Sequence, residues 1–281
     1  MTDRWESMGS LVRRRRAENP GPMTLDGTNS YVLGAPGAPG VVVVDPGPDL
    51  APHLAELAAA GAVELILITH HHGDHTDGSA ALHRLTGAPV RAALVEFCHS
   101  ATPLHDGERI QAGGLAIEVL ATPGHTGDSV CFAVSTTGQA PGQESSERMV
   151  LTGDTILGSG STVICHPDGS LGDYLSSLGL LRRWGLEHGT ENVPVPALPG
   201  HGPVLGDLAA AATAYEAHRG ERIAQVRAAV ELLEKAGNRF PSAQAVTAAV
   251  YGDVPENLQG AAQLSVEAQL EYIRGGGTLG L

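Results

Sequence analysis

Residues 69–78 read Thr69-His70-His71-His72-Gly73-Asp74-His75-Thr76-Asp77-Gly78, directly after the apolar run 63–68. Four side chains that can ligate a metal, His70, His72, Asp74 and His75, fall within six positions. A continuous helix does not gather residues at that spacing onto one point, because its period is 3.6. A buried strand ending in a tight glycine turn does. The same grammar of strand, glycine and ligand recurs three times. His125 stands in Thr122-Pro123-Gly124-His125-Thr126, Asp154 in Thr152-Gly153-Asp154-Thr155, and His201 in Pro199-Gly200-His201-Gly202, each after an apolar run. In α/β folds, strand ends at one edge of a sheet are where sites are built.

The set holds five imidazoles and two carboxylates. One catalytic zinc takes three protein ligands and keeps a position for water. Seven ligands therefore suit two cations that share a carboxylate and a water. Zinc fits these donors best, and manganese or iron also accept imidazole and carboxylate. No cysteine falls in the set, which disfavours a structural zinc knuckle. His71 lies between ligands and is expected to face away. His53, His83, His99, His105, His166, His188 and His218 stand alone in sequence and are read as structural or surface residues.

Around these motifs the apolar patterning alternates strands with helices. Strands are expected at 30–34, 41–45, 63–68, near Val90, and at 115–121, 129–135, 149–152 and 193–198. The run Val41-Val42-Val43-Val44 is apolar on both faces and belongs in a doubly covered sheet. Helices are expected at 51–60, at 77–85 with Asp77 as cap, and at 173–184. Residues 139–147 read as an exposed hairpin loop. After residue 205 the pattern turns helical, at 208–236, 242–250 and 256–273. The chain thus divides into an N-terminal segment (1–18), a mixed α/β catalytic unit (19–205) and a small helical unit (206–281).

The formal net charge is −14, a field that repels phosphate backbones at long range. The basic run at 13–16 reads as a solvated N-terminal segment rather than a signal peptide. Residues 205–281 carry six Lys or Arg against nine acids, so they form no obvious nucleic-acid clamp. Three cysteines without a CxxC pair suit a reducing cytoplasm. No apolar run approaches the ~18 residues that span a bilayer. Nothing in the sequence specifies an oligomeric state.

The pattern His70-x-His72-x-Asp74-His75, followed by His125, Asp154 and His201, resembles the metallo-β-lactamase superfamily over about residues 20–205. That resemblance implies an αββα sandwich. It implies that His70, His72 and His125 hold one metal, that Asp74, His75 and His201 hold the second, and that Asp154 bridges. Zinc β-lactamases that destroy antibiotics usually carry Cys where this chain has Asp154, which argues against penicillin hydrolysis. A narrower similarity, through Asn19-Pro20, residues 23–31, residues 153–158 and His218-Arg219, is to the β-lactamase-like protein 2 subfamily. It implies a C-terminal winged-helix-like domain; animal members cut single-stranded RNA, and related fungal proteins release thioester-bound polyketides.

The expected chemistry is hydrolysis by a metal-bridging hydroxide, with Asp74 taking a proton. Small esters, thioesters or lactams are preferred over RNA as substrates, and a non-enzymatic partner-binding role is disfavoured by the intact ligand set. Asn29 in the polar loop 28–31 is expected to position substrate, and the glycine-rich segment 158–162 is a candidate substrate loop.

Overall fold

The fold is described from a computed structural model, which covers residues 5–136 and 147–277. The expected loop at 139–147 lies outside the described residues except for Glu147. Six strands form the first sheet in sequence order: β1 (Trp5–Met8), β2 (Val12–Arg16), β3 (Asn29–Leu33), β4 (Val41–Val44), β5 (Val63–Leu67) and β6 (Val90–Arg91). The second sheet holds β7 (Arg109–Ala112), β8 (Leu115–Ala121), β9 (Val130–Thr136), β10 (Arg148–Gly153) and β11 (Ala197–Pro199), in the order β11-β10-β9-β8-β7.

The two sheets face one another. Val42, Val44 and Leu67 from the first meet Ile117, Phe132, Val134 and Leu151 from the second in one continuous core. The outer face of the first sheet, with Val43 and Ile66, is covered by α1 (Ala51–Ala58) and α3 (Ser79–Thr86) through Leu54, Leu57 and Leu82. Val42 and Val43 thus bury opposite faces of one strand, as the four-valine run requires. The outer face of the second sheet, with Cys131, Ala133 and Val150, is covered by α4 (Leu171–His188) and α5 (Leu208–Lys235). The layer order is αββα.

Three sequence expectations change. The basic run is not a solvated tail: it is strand β2, paired antiparallel with β1 and β3. Arg14 and Arg15 are buried there and meet Glu6 and Glu56. Asp77 does not cap α3. It ends a short helical turn, α2 (Gly73–Thr76), and Gly78 caps α3. The strand expected at 193–198 is reduced to β11, because Pro194 and Pro196 have no N–H to give a ladder.

Beyond α5 lie α6 (Ala243–Val250) and α7 (Gln259–Arg274), packed with the end of α5 around Val226, Val246, Val266 and Leu270. Among the described residues no strand follows β11.

Candidate metal centre

β4 and β5 run parallel, so both carboxyl ends emerge at one edge of the first sheet. In the second sheet β8 and β10 each run antiparallel to β9, and β11 runs parallel to β10. Their carboxyl ends therefore also share one edge. The two edges meet where Val130 N donates to Thr69 O at 2.8 Å. His70, His72, Asp74 and His75 follow β5; His125, Asp154 and His201 follow β8, β10 and β11. The chain bends through residues 69–71 after β5 and coils into α2 after His72. A helical turn therefore does place Asp74 and His75, and the bend before it supplies the other two.

Two triads form. His72 Nδ1 lies 3.0 Å from His70 Nε2 and 3.1 Å from His125 Nε2. His201 Nε2 lies 3.3 Å from His75 Nε2 and 3.1 Å from Asp74 Oδ2. Asp154 stands between them, with Oδ2 3.3 Å from His201 Nε2 and 3.8 Å from His125 Nε2, and Oδ1 3.6 Å from His75 Nε2. Ligands bonded tetrahedrally to zinc at about 2.0–2.1 Å are spaced by roughly 3.3 Å, and most of these separations lie close to that spacing.

The protons make the same point. His125 Nδ1 donates to the Val163 carbonyl at 2.7 Å, which leaves a lone pair on Nε2. Thr69 Oγ1 donates to Asp45 Oδ2 and so accepts from His70 Nδ1, which leaves a lone pair on His70 Nε2. Burial, with neighbouring imidazoles, pushes the pKa of His70 down and that of His72 to about 4; burial also pushes His125 down. Three neutral imidazoles thus aim at one point, and a cation there would satisfy the lone pairs. Asp154 Oδ1 is buried without a hydrogen-bond partner. The residues fit a pair of divalent cations.

In the second triad burial opposes charge on His75 and His201, but Asp154 and its fellow carboxylates outweigh it. His75 is pushed well up and His201 to about 9. Burial likewise opposes the Asp74 and Asp154 carboxylates, yet His75 and His201 hold both well below the usual range. Two protons offset the carboxylates here, and a bound cation would displace them. The approach is tight. A Cβ on Gly200 would stand 2.5 Å from Asp154 Oδ1 and 2.7 Å from His75 Cε1, so only glycine fits.

A cavity of about 330 Å³ opens onto His125 and Asp154. Its walls include Met23 and Leu25, the segment 159–163, Arg219 and Arg222 of α5, and Tyr251, Val254 and Leu258 beyond it. The candidate substrate loop therefore does line the cavity. Residues 23–184 match the profile of the Metallo-beta-lactamase superfamily.

The chain belongs to the metallo-beta-lactamase superfamily. It is 32% identical to a protein named atrochrysone carboxyl ACP thioesterase from Aspergillus chevalieri, over 88% of this chain and 75% of the relative. It is 29% identical to a beta-lactamase-like protein 2 homolog from Caenorhabditis elegans, over 95% of this chain and 85% of that one. A metallo-beta-lactamase family protein of Thermus thermophilus shares the fold, with a TM-score of 0.70 at 23% identity, covering 95% and 94% of the two chains. As a superfamily member the chain is a hydrolase whose fold implies divalent metal binding.

Around the candidate ligands lie supporting residues, Asp45 among them, that the sequence did not single out. Asp45, at the end of β4, accepts from Thr69 N at 2.8 Å, Thr69 Oγ1 at 2.7 Å and His75 Nδ1 at 2.8 Å. It orients one ligand and fixes the turn that starts the motif. The sequence shows only a carboxylate at a strand end, and its backbone at φ 50° is seen only in the structure. Thr28 Oγ1 donates to Asp74 Oδ2 at 3.1 Å, and the Gly27 carbonyl lies 3.3 Å from His201 Nδ1. Asn29 is not on the cavity wall. It is fully buried, and its amide donates to the Pro199 and Gly202 carbonyls at 2.9 and 3.0 Å. It holds the His201 turn instead of facing substrate. His71 turns aside, as expected, to Asp128 Oδ1 at 2.8 Å.

Proposed function

We propose that this chain is a two-zinc hydrolase of small acyl substrates, thioesters foremost. The observation that carries this reading is the shape of the cavity. It is apolar over Met23, Leu25, Leu157, Val254 and Leu258, it is closed by the C-terminal helices, and it ends on His125 and Asp154. A pocket with that apolar wall and two arginines suits an acyl compound with one charged end better than a polyanionic strand. The likeness to a protein named as a thioesterase supports the same class.

In this reading His70, His72 and His125 would hold one zinc and Asp74, His75 and His201 the other, with Asp154 standing between the two sets. Cations held there would supply a water acidified toward neutral pH and a positive field for the developing oxyanion. The protein does the rest. Asp74 keeps Oδ2 among the imidazoles and Thr28, leaving Oδ1 to take the proton of the attacking water. Asp45 and the Val163 carbonyl hold the rings of His75 and His125. Residues 19–205 carry all seven candidate ligands on the sandwich that β1 and β2 extend, and α5, α7 and the segment between them wall the pocket. Three unpaired thiols suit the cytoplasm. Among the described residues no helix is long and apolar enough to cross a membrane.

The test is a panel run on purified, zinc-loaded protein with Asp154→Ala as the blank. It contains S-acyl N-acetylcysteamine thioesters, lactones, a nitrocefin-type lactam and short single-stranded RNA. Thioester turnover that disappears in the blank, with about two zinc ions per wild-type chain by elemental analysis, is the expected outcome. RNA cleavage lost in the blank, with no acyl turnover, overturns the reading.

A further inference from the structure

Three arginines drawn wholly or partly into this acidic protein meet acids. Arg14 meets Glu6, Arg15 meets Glu56, and Arg91 makes a two-pronged contact with Glu108 at 2.7 and 2.9 Å. Two arginines on the wall of the active-site cavity do not. Arg219 and Arg222 lie one helical turn apart on α5, and both line the cavity that reaches His125 and Asp154. Among the described residues no carboxylate lies within ion-pair distance of either.

Arg219 is 3% exposed. Its Nη2 donates to the Thr162 carbonyl, its guanidinium stacks 5.0 Å from the centre of the Tyr174 ring, and its buried Nε has no partner. Arg222 lies 5.5 Å from the centre of the Tyr251 ring, and both residues line the cavity. Its Nε donates to His218 Nε2 at 3.3 Å and its Nη1 to Gln225 Oε1 at 2.8 Å. His218, pushed down by burial and by the two arginines, stays neutral and adds an acceptor that aims Arg222. Burying a guanidinium such as that of Arg219 without a counter-ion is costly. The wall therefore stores positive charge that a ligand's anion would neutralise, and a guanidinium held over an aromatic ring is preorganised for carboxylate or phosphate.

We infer that Arg222, backed by Arg219, is an anion subsite for the non-reacting end of the substrate. This rests on the acyl-hydrolase reading and narrows it to acyl compounds that carry a second, negatively charged group. The shared chemistry is an oxyanion. It has two sources: a carboxylate on the acyl part, or a phosphate on the thiol part that leaves.

Calorimetric titration of zinc-loaded wild type, Arg222→Gln and Arg222→Lys decides the matter, using non-hydrolysable thioethers. The probes are S-butyl pantetheine, S-butyl 4′-phosphopantetheine and S-(3-carboxypropyl) pantetheine. Wild type should bind one of the anionic probes about tenfold or more tighter than the neutral one, the scale of a charged hydrogen bond. That ratio should fall to within about threefold in Arg222→Gln and recover in part in Arg222→Lys. Which probe wins tells the leaving group from the acyl part. Circular dichroism and zinc content of the variants check that they fold. Equal binding of all three probes by wild type overturns the inference. So does a preference that survives Arg222→Gln, because the anion then sits on the metals. An Arg222-dependent preference in a protein that hydrolyses none of the matching thioesters upholds the subsite and sinks the acyl-hydrolase reading.

Discussion

Asp45 shows how much one side chain governs at the centre. Its carboxylate takes three hydrogen bonds, two from Thr69 and one from His75, so it fixes both where the ligand run begins and which nitrogen of His75 faces inward. Asparagine has the same shape, but its NH₂ group cannot accept from the His75 ring. Asp45→Asn is expected to weaken the affinity of the second cation by about 10- to 100-fold, the usual effect of losing a ligand's supporting carboxylate. The first triad should lose less, because Asp45 reaches His70 only through Thr69 and the Val163 carbonyl still holds His125. Competition with a chromophoric chelator would show one tight and one weakened site; two unchanged sites would contradict the role. The seven candidate ligands were legible because each sits in a strand-glycine-ligand phrase, and the fold draws all seven to one place. Asp45 and the Val163 carbonyl were not, while Thr28 was marked only as part of a loop that reaches the site. A supporting residue has no spacing rule, and a carbonyl has no side chain to read. Asn29 misled because polarity in a loop looks the same whether the amide faces substrate or two buried carbonyls.

Elements were legible where periodicity was unopposed. The four-valine strand, β8 and the long α5 stand where apolar patterning put them. Strand β2 was hidden because four successive arginines mask its alternation, and only Glu6, Glu56 and the edge pairing reveal why such charge is tolerated in a sheet. Helix α1 lies against the first sheet through Leu54 and Leu57, and it is also keyed to β3 by His53, whose Nε2 lies 2.9 Å from Ser30 Oγ. Burial, with Arg15 close by, holds the His53 pKa at about 4. The folded protein therefore keeps this ring neutral where an unfolded chain would protonate it. The stability it contributes is complete above pH ~6.5 and is lost as pH falls toward 4, by about 1–3 kcal/mol. Urea midpoints measured from pH 7.5 to 4.5 should drop more steeply for wild type than for His53→Gln. Identical slopes would remove His53 from the pH response.

On the scale of the whole molecule, the sequence suggested a seam near residue 205, where strands give way to helices. The packing crosses that seam. Tyr174, Leu178 and Leu181 of α4, on the catalytic side, share one core with Leu208, Ala212 and Ile223 of α5 and with Ala268 of α7. The loop after Asp154 is gripped from the same helix, by Tyr215 at the Leu157 backbone and by Arg219 at the Thr162 carbonyl. Thr162 in turn donates to the Asp154 carbonyl at 2.9 Å. The appended helices thus complete the outer layer of the second sheet and brace the bridging ligand, and they do more than roof the pocket. A chain cut after residue 205 would expose the face of α4 and release the Asp154 loop. We expect residues 1–205 alone to be insoluble or to bind ANS without fixed tertiary structure, and the full chain to melt in one calorimetric transition whose van't Hoff and calorimetric enthalpies agree. Two separated transitions, or a soluble 1–205 fragment with about two zinc ions and sharp side-chain NMR signals, would show that the boundary read from composition is also the boundary of folding.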